Sequence, residues 1–183
     1  MVYTSKNLQD EQVKRQSSIS ALEKALISVL TRIGVPSDNQ RITDVSSSVV
    51  DVLYDSIPDT DFSNIEPNSR MVADLGAESI DYLDIKMRLE EVFGVDKIPD
   101  DILGIQVDYK PLAKRDEGKL VLISGKETEF KSRFISIYNS LSEEVRSEFD
   151  KTLDFNYFFS NFNVLGIALG LYRYIVSQND IKK

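Results

Sequence analysis

Apolar residues recur at steps of three and four along most of this 183-residue chain. Because an α-helix turns once every 3.6 residues, this spacing places them on one face and predicts amphipathic helices. Segments rich in Gly, Pro, Ser, Asn and Asp separate the periodic stretches, as expected of loops. The pattern predicts helices over residues 8–33, 43–56, 79–93, 127–141, 142–153 and 164–176.

The first predicted helix carries a regular apolar stripe over residues 19–33. We expect this stripe to pack within its own domain. A seam for self-association is the alternative, although fewer than three heptads are weak evidence for a coiled coil. The stripe consists of Ile19, Leu22, Leu26, Val29 and Ile33.

The second predicted helix has several candidate caps and is followed by a polar loop, residues 59–70. The side chains that could accept hydrogen bonds from its first free N–H groups are Thr43, Asp44 and Ser46. The apolar residues expected to hold the loop against the core are Ile65, Met71 and Val72.

A glycine turn leads into the third predicted helix. Gly76 suits a tight turn because it has no Cβ to restrict its backbone angles, and we expect Leu75 and Ile80 to anchor the turn in the core. Ser79 then lies at or near the helix N-cap, where free N–H groups and the helix dipole favour an anion. A phosphodiester on the Ser79 hydroxyl would be stabilised there, whereas an isolated serine in this place would only cap the helix.

The third predicted helix has one charged stripe and two apolar faces when its residues are placed at 100° intervals. Such a helix packs against two neighbours or lines a cavity for a lipid chain, and the two are compatible. Arg88 interrupts the acidic stripe, where it can pair with Asp84 or Glu91 or select against some partners. The stripe is Asp81, Asp84, Arg88 and Glu91; one apolar face is Ile80, Leu83 and Met87, and the other is Ile85, Leu89, Val92 and Phe93.

The window from residue 74 to residue 81 reads Asp-Leu-Gly-Ala-Glu-Ser-Ile-Asp and resembles the acyl carrier protein family, whose motif is Asp-Leu-Gly-x-Asp-Ser-Leu-Asp. The resemblance implies that Ser79 carries 4′-phosphopantetheine. It also implies that Asp74, Leu75 and Gly76 belong to the attachment motif. Two residues depart from the family pattern while keeping charge and apolarity, Glu78 in place of Asp and Ile80 in place of Leu.

The resemblance also implies a fold: an all-α, acyl-carrier-like helical bundle with an extra N-terminal helix and a helical insertion before the last helix. Residues 1–40 would form the extension, 41–103 and 163–178 the carrier core, and 104–162 an insertion packed on that core. Within the insertion, residues 119–123 could form a short strand, but no partner strand is evident.

Composition limits what the chain could do chemically. It has no histidine and no cysteine, which excludes His-based triads, thiolate nucleophiles and sulfur metal sites. We therefore expect neither an enzyme nor a metal site. The net charge of −8 and the pI near 4.7 argue against nucleic acid as a partner.

Nine acidic and three basic residues lie between Asp74 and Leu103, a local net charge of −6. This is either a solvated helix face or a docking surface that attracts basic patches on partner enzymes. If it docks partners, the stripe Asp81, Asp84, Arg88 and Glu91 is the expected contact. There is no apolar signal segment and no run long enough to span a membrane, which predicts a cytoplasmic protein.

The sequence thus predicts a carrier that holds an acyl thioester on the phosphopantetheine arm and performs no chemistry itself. A phosphopantetheinyl transferase would install the arm covalently from coenzyme A. Acyl-transferring or acyl-modifying enzymes of fatty acid, lipid or polyketide synthesis would then be its partners. The alternative is an unmodified interaction or scaffold protein that keeps the carrier fold.

Overall fold

A computed structural model describes residues 5–104 and 110–181, and these residues are mostly helical. The predicted all-α class is confirmed, with a small β-hairpin added to it. The helices and strands, in chain order, are α1 (Ser5–Arg32), α2 (Asn39–Ser56), α3 (Ser79–Phe93), β1 (Ala113–Asp116), β2 (Lys119–Leu122), α4 (Glu127–Arg133), α5 (Ile135–Ser140), α6 (Glu143–Thr152), α7 (Phe155–Ser160) and α8 (Val164–Ile181).

Helix α1 packs along its apolar stripe against α2 and α8. Ile19, Leu22, Leu26 and Val29 are all buried inside the chain's own core. The expected packing of this stripe within its own domain is thus observed, and the alternative of a self-association seam over residues 19–33 gains no support, because these four side chains already contact other helices of the same chain.

Helix α2 begins four residues earlier than predicted. Its cap is Asp38, whose carboxylate accepts the Arg41 N–H at 3.2 Å, and the predicted caps lie inside the helix. Tyr172 of α8 fixes this start, since its hydroxyl accepts the Asp38 N–H and donates to the Pro36 carbonyl, each at 2.9 Å. A partner distant in sequence thus helps to set where the helix begins.

The loop between α2 and α3 is held to the core partly as predicted. Ile65 and Met71 are buried, and the Met71 N–H donates to the Phe162 carbonyl at 3.0 Å. Val72 is 58% exposed, so the prediction that it anchors the loop is wrong. The backbone turns at this point, because the Ala77 N–H reaches back to the Met71 carbonyl and leaves Val72 on the outside of the turn.

The segment between α3 and α8 contains more elements than predicted. Strand β2 pairs in antiparallel register with β1, the partner strand that the sequence did not reveal. The helix predicted over 127–141 is interrupted at Phe134, where φ −102° and ψ 30° leave the helical region, and so becomes α4 and α5. The helix predicted over 142–153 is confirmed, with Ser142 as its cap.

Phenylalanine rings fill the core of this segment. Phe130 lies at its centre, with its ring centroid 4.8–5.2 Å from those of Phe134, Phe149, Phe155 and Phe158. Helix α5 packs on α8, and Gly170 of α8 allows close contact with Ile102, since a Cβ there would lie 2.6 Å from that side chain. The division of the chain into extension, core and insertion stays a prediction.

Candidate functional site

Ser79 is the first residue of α3, with Glu78 as the N-cap. The Glu78 N–H donates to the Asp81 carboxylate at 2.7 Å, which fixes the start of the helix. Ser79 is exposed, and its hydroxyl makes no hydrogen bond within the described part of the chain. It is thus one position past the cap, at the end of the helix where N–H groups lack helical partners and negative charge is favoured.

A compact turn presents Ser79. Gly76 has φ +72°, a left-handed conformation that side chains disfavour, and Leu75 is buried beneath it. The Asp74 carboxylate accepts hydrogen bonds from the Arg70 side chain and the Arg70 backbone N–H, at 2.8–3.0 Å. These bonds, led by the one from the guanidinium, lower the pKa of Asp74 to about 2. Asp74 therefore ties the turn together as a paired carboxylate.

A surface groove of about 450 Å³ opens beside Ser79. Its walls are mainly apolar, and Ser79 itself lines it, so a group attached to the serine would start within the groove. The lining residues are Val72, Ala77, Ser79, Ile80, Tyr82, Leu83 and Gly104.

The prediction that Ile80 anchors the turn in the core is wrong. It is 64% exposed, and Leu83 and Met87 on the same face are also exposed. Helix α3 buries the face of Ile85 and Leu89 in the core, with α2 as its main neighbouring helix. The second apolar face therefore remains open to solvent, next to the groove.

The predicted charged stripe is divided in the structure. Asp81 is only 8% exposed, and its carboxylate is used at the start of the helix, so the expectation that it belongs to an open stripe is wrong. Asp81 lies four residues before Ile85 and shares its buried face. Asp84, Arg88 and Glu91 stay at the surface, and the Arg88 guanidinium pairs with Asp84 at 2.7 Å.

Tyr82 and Gly104 line the groove, although sequence reasoning assigned neither to the site. The Tyr82 ring stacks on Phe162, with centroids 6.4 Å apart and planes 18° from parallel. Phe162 in turn packs on Gly104, where a Cβ would lie 3.5 Å from its ring. No local pattern could signal this wall, because it joins three residues that are far apart in sequence.

Among the described residues, no group of three or more His, Cys, Asp or Glu side chains is placed to hold a metal ion. Within residues 5–104 and 110–181, no helix combines the length and apolarity needed to cross a membrane. The site described above combines an exposed serine at a helix start with an apolar groove beside it.

Comparison with known proteins gives one informative relative. The chain is 38% identical over 65 residues to the acyl carrier protein of Picosynechococcus sp., and the alignment covers 73% of that protein. The chain belongs to the acyl carrier protein family. Because the aligned residues are 35% of this chain, the acyl carrier protein relationship describes one region of it. No protein-family model and no solved structure matches the chain significantly.

Proposed function

We propose that the chain is an enlarged carrier protein whose Ser79 Oγ bears 4′-phosphopantetheine. A separate phosphopantetheinyl transferase would form this phosphodiester from coenzyme A, breaking its pyrophosphate bond and releasing the adenosine bisphosphate. The terminal thiol of the arm supplies the site for an acyl thioester. The chain itself binds and presents the cargo to acyl-transferring or acyl-modifying enzymes of fatty acid, lipid or polyketide synthesis.

The observation that carries this proposal is the environment of Ser79. Its hydroxyl is exposed and lacks a described partner, so a transferase could reach it without breaking the fold. The start of the 15-residue helix α3 favours the negative charge of a phosphodiester. Asp74, one acidic member of the attachment motif, is already paired with Arg70, which limits its repulsion of that charge.

The roles of the other motif residues follow from the turn they form. Leu75 is buried and Gly76 takes the left-handed conformation, so together with Asp74 they shape the turn that presents Ser79. We assign them this positioning role, and no contact with the arm is required of them.

The docking surface for partner enzymes is proposed to be the exposed side of α3. Asp84 and Glu91 supply negative charge, and Arg88 offsets part of it. The exposed apolar side chains of Ile80 and Met87 lie beside them, and this mixture suits a partner that carries a basic rim around an apolar centre. Asp81 would support this surface from beneath by holding the start of the helix.

The test of phosphopantetheine attachment relies on the fact that the chain has no cysteine. The unmodified chain has no thiol, so incubation with coenzyme A and a broad-specificity transferase should create one titratable thiol per molecule. The intact mass should rise by one phosphopantetheine group. Ser79→Ala should abolish both changes while retaining the helical circular dichroism spectrum of the wild type.

Ser142→Ala is the matched control. Ser142 is also exposed at a helix start, where its hydroxyl accepts the Val145 N–H at 3.2 Å. Loading of this variant should equal that of the wild type. Failure of the wild type to gain a thiol would favour the unmodified scaffold, and equal loading of Ser79→Ala would show that the site has been misassigned.

A further inference from the structure

We infer that the groove beside Ser79 seats the root of the phosphopantetheine arm, and that Tyr82 is the positioning residue that donates a hydrogen bond to it. The inference rests on the proposed attachment at Ser79 and adds where the arm lies. The relevant part of the arm is the pantoyl unit next to the phosphate, which combines a gem-dimethyl group with a hydroxyl and an amide carbonyl.

The position of Tyr82 on the helix supports this role. Ser79 and Tyr82 are three residues apart, so their Cβ atoms are neighbours about 5–6 Å apart on one face of α3. Long side chains in helices lean back toward the preceding turn, which brings the Tyr82 side chain over the Ser79 position. Both residues line the same groove.

The chemistry of the groove matches the pantoyl unit. Val72, Ile80 and Leu83 provide apolar walls for the two methyl groups. Tyr82 lines the same groove and carries a hydroxyl, which forms no hydrogen bond with any described residue. The buried polar side-chain atoms of the described residues that lack a partner are Ser46 Oγ and Ser56 Oγ, so the Tyr82 hydroxyl is open to solvent, where an acceptor group of the arm can take the place of water.

Two further features keep Tyr82 suited to this contact. Burial, and secondarily the negative charge of Asp81, raises the pKa of Tyr82 to about 12, so its phenol remains a neutral donor at physiological pH. The stacking of its ring on Phe162, which packs on Gly104, restricts the side chain. The wall that positions Tyr82 thus involves residues from both ends of the segment between α3 and α8.

The test compares the arm in loaded wild type, Tyr82→Phe and Tyr174→Phe. Tyr82→Phe removes the hydroxyl and retains the ring on Phe162. Tyr174→Phe removes a hydroxyl that donates to the Lys97 carbonyl at 2.7 Å and does not line the groove. The readout is the nuclear Overhauser effect between the pantoyl methyl protons and the methyl groups of Val72 and Leu83.

We expect clear cross-peaks in the wild type and in Tyr174→Phe, and at least a several-fold loss of intensity in Tyr82→Phe. Cross-peaks that are absent from the wild type, or equally strong in Tyr82→Phe, would overturn the inference. Cross-peaks that arise only from an attached acyl chain would also overturn it, because the groove would then hold cargo. Intact mass separates the two proposals: a fully loaded protein without arm contacts contradicts this inference alone, and a protein that cannot be loaded contradicts both.

Discussion

Helix α3 and the segment between α3 and α8 use apolar residues in opposite ways. In the segment, the rings of Phe130, Phe134 and Phe158 are at most 1% exposed. On α3, Ile80 and Met87 are more than 60% exposed, although they repeat with the same helical spacing. Equal periodicity in the sequence therefore leads to a closed core in one region and an open apolar face in the other.

The difference concerns how much each region contributes to stability. The phenylalanine core stabilises a set of short helices that would not persist alone in water. The exposed face of α3 contributes little to stability, since burial of apolar area is the main favourable term. It borders the groove at Ser79, and its retention at the surface is consistent with contacts made to an arm or to a partner.

The largest expected effect is on the phenylalanine core. Phe134→Ala should lower the free energy of unfolding by about 3–5 kcal/mol, because it leaves a cavity among three neighbouring rings. Met87→Ala should change it by less than about 0.5 kcal/mol, as expected for an exposed side chain. Urea denaturation measures both, and similar values for the two variants would remove the contrast between the regions.

Hydrogen exchange of Phe134→Ala then shows how far the regions are coupled. Helix α5 packs on α8, which also contacts α2, so amides of α3 should lose protection together with those of α4 and α5. If α3 keeps wild-type protection while the segment alone opens, the two regions are independent domains.

Reversing the negative charge on the surface of α3 should have an intermediate effect, on the rate of phosphopantetheine loading. The double variant Asp84→Lys, Glu91→Lys should load phosphopantetheine about ten-fold more slowly, because attraction to a basic partner raises association rates by about 10–1,000-fold. Glu144→Lys, Glu148→Lys on α6 makes the same change of charge in the segment and should load normally. Equal rates for both double variants, or a wild-type rate independent of salt, would contradict an electrostatic docking surface on α3.

The smallest effect concerns the turn before Ser79. The pKa of Asp74 is lowered from 3.8 to about 2 by Arg70, so the pair stabilises the folded turn above pH 4 and is lost as the pH falls toward 2. In Arg70→Gln, the Asp74 carboxyl should titrate closer to 3.8 by nuclear magnetic resonance. Because both groups are largely exposed, we expect little change in overall stability. An unchanged midpoint in Arg70→Gln would show that backbone bonds alone set this pKa.

The sequence predicted the helices of the fold well where local signals were strong. The bounds of α3 were predicted correctly, because a glycine turn precedes it and Gly94 ends it in the left-handed conformation. The start of α2 was missed because it depends on Tyr172, which is more than 130 residues away. The hairpin was missed because β1 reads Ala-Lys-Arg-Asp, a sequence with almost no strand character.

The site was predicted only in part for a similar reason. The position of Ser79 at the start of a helix follows from local sequence, and the structure has it one residue past the cap. The exposure of Ile80 and the burial of Asp81 do not follow, because periodicity defines the faces of a helix without saying which face meets the core. Tyr82 joined the groove through its contact with Phe162, which only the tertiary fold creates.

The central claim is that Ser79 carries the arm in the cell, and peptide mapping of the protein purified from its native source tests this most directly. Trypsin cleaves after Arg70 and Lys86 and releases residues 71–86, in which Ser79 is the one serine. The account predicts that this peptide carries a phosphopantetheine group, detected by its mass and by a thiol that reacts with an alkylating reagent. A native protein whose 71–86 peptide is entirely unmodified, or whose arm lies on another peptide, would contradict it.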